Sequence, residues 1–360
     1  GIDHHPARAQ PVEVGFDKIQ AAIKSSRADY TEIRLEEREA TTVAYRGKDL
    51  ETANAVIDTG GIVRCLVSGG GWGLTTFNDV SDLDQRVQQA YEGARAIQAE
   101  PIQWASVPAV QDEITVSLEN DFRGIGLTEK KSLAQRYNEG LLNFDPRVVD
   151  THTSYVDTFK RVVFANSEGT YLVEERPMIN VAFSAVAREN GNVQRAFEAT
   201  SKVAGFDAVT GQDEVVETVA QRAVDLLSAP PVEGGRYPVI CNPRMAGVFA
   251  HEAFGHLSEA DFVYENPQAQ EMMVLGRRFG RDILTIADDG SIPGLRGTHP
   301  YDDEGTPTGR TDLIKDGVLV GRLHSRETAA KMSETPTGNA RATSYRYAPI
   351  VRMTNTFIDE

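Results

Sequence analysis

The feature that most constrains this chain is the spacing of two histidines in residues 239–262, VICNPRMAGVFAHEAFGHLSEADF. A short apolar run, Val239-Ile240-Cys241, reads as a strand leading into Asn242-Pro243. That pair is a helix start: asparagine caps the free N–H groups, and proline is tolerated at the first helical position. His251, Glu252 and His256 follow on the helix. Two imidazoles and a carboxylate are the parts of a metal-hydrolase site, in which neutral histidines hold Zn²⁺ and the carboxylate activates water.

Histidines at i and i+4 stand about 40° apart around a regular helix and face one ion, whereas i and i+5 stand roughly 140° apart. The segment therefore cannot chelate as a straight α-helix. Either a π-bulge lies between the histidines, or the helix closes at Gly255 in the left-handed conformation and His256 swings back. The structural alternative is a helix with one core and one surface histidine that binds nothing.

The segment HEAFGHLSEAD is similar to the HExxxH motif of the TldD/PmbA family, historically called modulators of DNA gyrase and understood as metal-dependent peptidases. The resemblance extends to 58–77, DTGGIVRCLVSGGGWGLTTF, to 301–313, YDDEGTPTGRTDL, and to 336–357, PTGNARATSYRYAPIVRMTNTF. It implies a zinc peptidase of the TldD-like type acting on unfolded or extended peptides. His251 and His256 would hold the metal, and Glu252 would serve as the base. It further implies a homodimer, or a heterodimer with a paralogue lacking HExxxH, around an enclosed cavity. Family members run on for roughly another hundred residues, so the resemblance implies a metal-site domain truncated at its C-terminus, with the third zinc ligand a cysteine beyond residue 360. The alternative is a non-catalytic peptide-binding or regulatory subunit with an incomplete site.

The fold class expected is α+β. An N-terminal helix-and-antiparallel-sheet domain, 1–229, would serve dimerisation and a peptide channel. A mainly β domain, 236–360, would open with the metal-binding helix. The boundary is placed at Ala229-Pro230-Pro231-Val232-Glu233-Gly234-Gly235, where prolines stop a helix and glycines free the turn. The opening GIDHHPARAQP has no periodicity and reads as a flexible or added end. Phe16, Ile19, Ala22 and Ile23 recur at helical spacing. Short strands are expected at 29–36, 40–46, 50–57, 61–67 and 72–77, with GGGWG (69–73) as a hairpin turn, since it lacks the lysine and helix of a phosphate loop. Helices are expected over 81–98, capped by Ser81, and from Thr128 to about Asn143.

From 147 to 202 the pattern is a β-meander with turns at Asn166-Ser167-Glu168-Gly169 and Asn190-Gly191. Its alternation predicts one solvated face, and such a sheet could add a peptide strand. A helix over 212–228 should bury Val215, Val219, Ala223 and Leu226. Asp302, Asp303 and Glu304 could be metal ligands, but carboxylates before Gly-Thr-Pro more often form a solvated turn; His299 and His324 read as structural residues. The polar run 335–346 could bind a peptide or be tied down by its own side chains.

A formal charge of −16 argues against nucleic-acid binding, which needs a basic surface. No apolar run is long enough to span a membrane, and no signal-peptide pattern is present. Cys65 and Cys241, both in apolar runs, read as reduced core thiols of a cytoplasmic protein.

Overall fold

The computed structural model describes residues 15–97 and 100–359; the expectation for the opening GIDHHPARAQP lies outside them. The architecture is α+β and dominated by antiparallel pairing. Helix α1 (Phe16–Lys24) precedes β1 (Tyr30–Arg46), β2 (Asp49–Leu66) and β3 (Trp72–Phe77). Where the sequence reads as four short strands over 29–67, β1 and β2 are single strands of 17 and 18 residues. The polar residues inside β1 do not break it, because its backbone is paired on both sides, with β2 and with β5 (Val148–Asn166). The GGGWG stretch does form the connection of an antiparallel hairpin, since Leu66 pairs with Trp72.

Helix α2 (Leu83–Ala96) starts at Asp82 with no side-chain cap, so Ser81 is not its N-cap. The Ser81 N–H is instead held by the Asp79 carboxylate at 2.9 Å, in a local turn. Strand β4 (Gln111–Ile114) precedes α3 (Leu127–Leu142), which is entered from Gly126, placing Thr128 inside the first turn rather than at the cap. The meander is β5, β6 (Tyr171–Glu189) and β7 (Asn192–Lys202). At its second turn Asn190 and Gly191 take φ of 50° and 85°, the left-handed pair that a two-residue hairpin requires. All seven strands form one sheet of order β3-β2-β1-β5-β6-β4, with β7 also paired to β6 and β4 parallel to it.

Because side chains alternate across a strand, residue parity assigns the two faces. The odd positions share one face: at one end Ile33, Val63, Val163 and Val173 pack on α1 and α2, and at the other Val43, Tyr155, Val181 and Phe183 pack on α3 and on α4 (Asp213–Asp225). The buried stripe of α4 is Val216, Val219, Ala220, Ala223 and Val224; Val215 and Leu226 are only half-buried. The helix is rotated from the expected register to straddle the groove between α3 and the sheet.

The even face is only in part the solvated surface expected of the meander: it is open along β7, where Val193 and Phe197 are exposed, and covered over β1, β2 and the start of β6. Glu32, Arg34, Glu36, Arg64 and Glu174 all point there and all are buried. They meet the turn Asp302-Asp303-Glu304, whose residues are only 3%, 3% and 2% exposed, so that turn is not solvated either. Asp303 bridges Arg34 at 3.0 Å and Arg176 at 2.7 Å. Arg64 joins Glu32 at 2.6 Å to Glu304 at 3.0 Å. Charge alternating with apolar residues has the same pattern whether the charges meet water or opposite charges from a distant segment. The loop 335–346 is tied into this layer by its own groups: Ala340 and Ala342 donate backbone N–H bonds to Asp302 and Asp303.

The C-terminal part holds two small sheets. One has the order β10-β9-β8-β13, from β8 (Thr285–Asp289), β9 (Arg310–Lys315), β10 (Val318–Leu319) and β13 (Thr356–Asp359). The other pairs β11 (Ala340–Arg341) with β12 (Ile350–Val351). Helix α5 (Pro243–Ala250) opens this part, and three short helices follow: α6 (Ala260–Glu265), α7 (Pro267–Met272) and α8 (Arg326–Met332). No helix among the described residues is long and apolar enough to cross a membrane.

Candidate metal centre

The local sequence builds the site in four steps. Residues 236–242 form no regular structure, so the expected strand at 239–241 does not form, and Cys241 is exposed rather than a core thiol. Among the described residues no strand pairs with that apolar run. Cys65, by contrast, is buried in β2, where burial pushes its thiol pKa up. Asn242 then caps α5 as its sequence implies, its side-chain oxygen accepting the Met245 N–H at 2.9 Å, with Pro243 at the first helical position.

After Ala250 the helix widens. Residues His251–Gly255 form a π turn, and His256–Ser258 a 3-10 turn. Of the two routes open to an i, i+5 pair, the chain takes the bulge: Gly255 is right-handed, with φ −58° and ψ −63°. In a π turn the hydrogen bonds run between residues five apart, so those residues stand one above the other. The imidazole centroids of His251 and His256 are accordingly 4.7 Å apart, with ring planes at 80°.

Glycine is needed at 255 for close approach rather than for a special φ. A Cβ there would run into the sulfur of Met353, itself buried. The inner side of the turn is anchored by Ala250, Phe254 and Leu257 in the core shared with Ile286, Val351 and Met353. Phe254 also meets Phe279 edge-to-face at 5.4 Å. The outer side presents half-buried His251 and exposed Glu252 and His256. One donor atom from each of these three lies within 4.8 Å of the others, and among the described residues this is the cluster with the composition of a metal site.

Two residues join the site that the sequence reading did not single out. Glu259, three positions after His256, places Oε2 at 3.3 Å from His256 Nδ1. Arg352 donates to the same oxygen at 3.2 Å. Burial raises the Glu259 carboxyl pKa, against the lowering influence of His256 and Arg352. The i, i+3 spacing from His256 was the available signal for Glu259; Arg352 had none.

The other sequence candidates lie elsewhere. His299 is buried beside the ion network, and desolvation together with Arg176 lowers its pKa to about 3, so it stays neutral. His324 is buried between Thr328 and Glu334, at 3.1 and 3.2 Å. Both occupy structural positions. Asp302, Asp303 and Glu304 are committed to the inter-layer network and to backbone N–H groups.

Comparison with known proteins places this geometry in a family. Residues 31–96 match the model of PmbA/TldA metallopeptidase domain 1, residues 120–229 the central domain, and residues 234–360 the C-terminal domain. The chain is 46% identical over 334 residues to a metalloprotease of Synechocystis, covering 92% of this chain and 72% of that one. A zinc metalloprotease TldD homolog of Saccharolobus solfataricus is 26% identical, again over 92% of this chain and 72% of the relative. The fold is that of a crystal structure from Thermotoga maritima described as a modulator of a DNA gyrase, with a TM-score of 0.78 at 20% identity, covering 95% of this chain and 76% of that one. With three consecutive domain models matched and a relative this similar over nearly its whole length, the chain belongs to the PmbA/TldD family of metallopeptidases.

Proposed function

We propose that the chain is a zinc-dependent peptidase of unfolded or extended peptides, with His251 and His256 as metal ligands and Glu252 as general base. The observation that carries this reading is the π turn, which brings together two imidazoles that a regular helix would separate and leaves Glu252 on the same open side. Imidazole nitrogens are donors that zinc takes, and the 4.8 Å cluster is compact enough for one ion. Zinc, when bound, supplies a Lewis acid that polarises the scissile carbonyl and lowers the pKa of water. Glu252, exposed beside the imidazoles, takes the proton from the attacking water and returns it to the leaving nitrogen.

Catalytic zinc takes three protein ligands and keeps one position open. Cys65 is buried in β2, and Cys241 precedes the eight residues of α5, about 12 Å of helix from His251. Resemblance to the family supports a cysteine outside residues 1–360 as the third ligand in this reading. The test compares residues 1–360 with the same chain extended to the length of its relatives. The extended protein should hold stoichiometric zinc and lose hydrolysis of an unstructured peptide to a chelator, with recovery on zinc addition. The 360-residue chain should hold substoichiometric zinc and show little activity. Equal zinc affinity and activity in both would place the third ligand within these residues.

The proposal extends to organisation. Residues 1–229 would provide dimerisation and a peptide channel, residues 236–360 the metal site, and the protein would work in the cytoplasm. The assembly proposed is with a second copy, or with a paralogue lacking HExxxH. Sedimentation of the extended protein, alone and with such a paralogue, should show a dimer at micromolar concentration. A monomer under both conditions would remove assembly from the proposal.

A further inference from the structure

We propose that Glu259 is a positioning residue for His256: it holds Nδ1 of the ring and thereby turns Nε2 toward the metal. This role rests on the metal-site reading above. Three observations support it.

The first is where the carboxylate does not go. Glu259 stands at the N-cap of α6, where an acidic side chain ordinarily accepts a hydrogen bond from the first turn, yet it makes no capping bond. Its Oε2 takes His256 Nδ1 at 3.3 Å and Arg352 Nη1 at 3.2 Å instead.

The second is burial. The Glu259 side chain is 6% exposed, and its Oε1 finds no hydrogen-bond partner. A carboxylate so placed is costly unless paired, and among the described residues its pairing is with the imidazole and the guanidinium. The His256 ring is 46% exposed, so packing does little to fix its rotation about the side-chain bonds. The hydrogen bond to Glu259 is what orients it.

The third is the rigidity of the frame. Beside Glu259, the Ala260 N–H donates to Leu323 O at 3.0 Å, and the Leu323 N–H donates to Ser258 O at 2.8 Å. Arg352 is held through its N–H to Asn339 O at 2.8 Å, and its carbonyl accepts from Asn339 Nδ2 at 3.0 Å. The Val351 N–H donates to Asp261 at 3.0 Å, closing the frame between the segment after His256 and β12. A carboxylate on so fixed a backbone can set the direction of a mobile ring. With Nδ1–H donating to Glu259, the free lone pair of the neutral ring is on Nε2, the nitrogen left for zinc.

The test uses the full-length natural protein in three forms: wild type, Glu259→Gln and Glu259→Ala. Zinc affinity is measured by competition with a chromophoric chelator, with urea unfolding of the zinc-free proteins alongside. Loss of such an outer partner typically weakens metal binding about 10- to 100-fold. That loss is expected for Glu259→Ala, with Glu259→Gln between it and wild type, because the amide oxygen still accepts a hydrogen bond. Nitrogen-15 NMR of histidine-labelled, zinc-free wild type gives a readout independent of any variant's folding. His256 should be protonated on Nδ1, and its Nε2 resonance should move when zinc is added. An Nε2-protonated ring, or equal zinc affinity in wild type and Glu259→Ala, would overturn the role of Glu259 alone. Wild type that takes up no zinc would overturn the metal site itself and this role with it.

Discussion

Replacing Glu252 by glutamine should lower hydrolysis of an unstructured peptide by about 10²- to 10⁴-fold, the usual contribution of a positioned general base. The substitution keeps the side-chain shape and removes only the ability to take a proton at neutral pH. Glu252 is exposed on the outer side of the π turn, while the core contacts of that turn come from Ala250, Phe254 and Leu257. Stability should therefore stay within about 0.5 kcal/mol of wild type, as for surface substitutions generally. Zinc content should also be retained, because His251 and His256 are untouched. The measurement is steady-state hydrolysis by the extended protein, with zinc assayed in the same samples. Activity retained with zinc bound would remove Glu252 from the chemistry. Activity and zinc lost together would make it a ligand instead of a base.

Replacing Asp303 by alanine should destabilise the protein by about 3–5 kcal/mol, the cost of breaking a buried ion pair from one side. Asp303 is the point where the C-terminal part meets the even face of the large sheet, bonded to both Arg34 and Arg176. Alanine would leave both guanidinium groups buried with fewer counter-charges; Arg34 keeps Glu36 at 3.4 Å, and Arg176 keeps Glu174 at 2.8 Å. Burial alone would raise the Asp303 pKa, but Arg34, Arg176 and Lys160 outweigh it and hold the carboxyl well below the usual range. Its contribution is therefore complete above the unfolded carboxylate pKa and is lost as pH falls through the depressed folded value. Asp302 works in the opposite direction, burial and Glu304 raising its pKa. The wild-type pH profile mixes the two, and the difference between wild type and Asp303→Ala isolates Asp303. Urea unfolding near neutral pH measures the main effect. Arg46→Ala, at the exposed Arg46–Glu51 pair, should leave the midpoint near wild type. A midpoint equally unmoved in Asp303→Ala would mean that the network does not fasten the two layers.

The sequence by itself determined what depends on backbone geometry over a few residues. Asn242-Pro243 had to start a helix, and Asn190-Gly191 had to turn a hairpin, because each choice is made by one or two dihedral angles. The i, i+5 spacing of His251 and His256 required a departure from the α-helix if the rings were to meet, for reasons of angle alone. Which departure it would be was a tertiary matter. The bulge is supported by Met353, 98 positions from Gly255, whose sulfur lies where a methyl group on that glycine would stand.

The same limit explains the misread segments. Arg64 and Glu304 are 240 positions apart, and no local pattern says that a charge on a strand will find its partner there. Val239 to Cys241 have the composition of a strand, but a strand exists only where another backbone offers hydrogen bonds, and none of the described residues pairs with them. Arg352 reaches the Glu259 carboxylate beside His256 across 93 positions. Local propensity is set by the chain's own torsions and nearest neighbours. The pairing of buried charges and the support of the π turn are set by long-range proximity, which folding alone supplies.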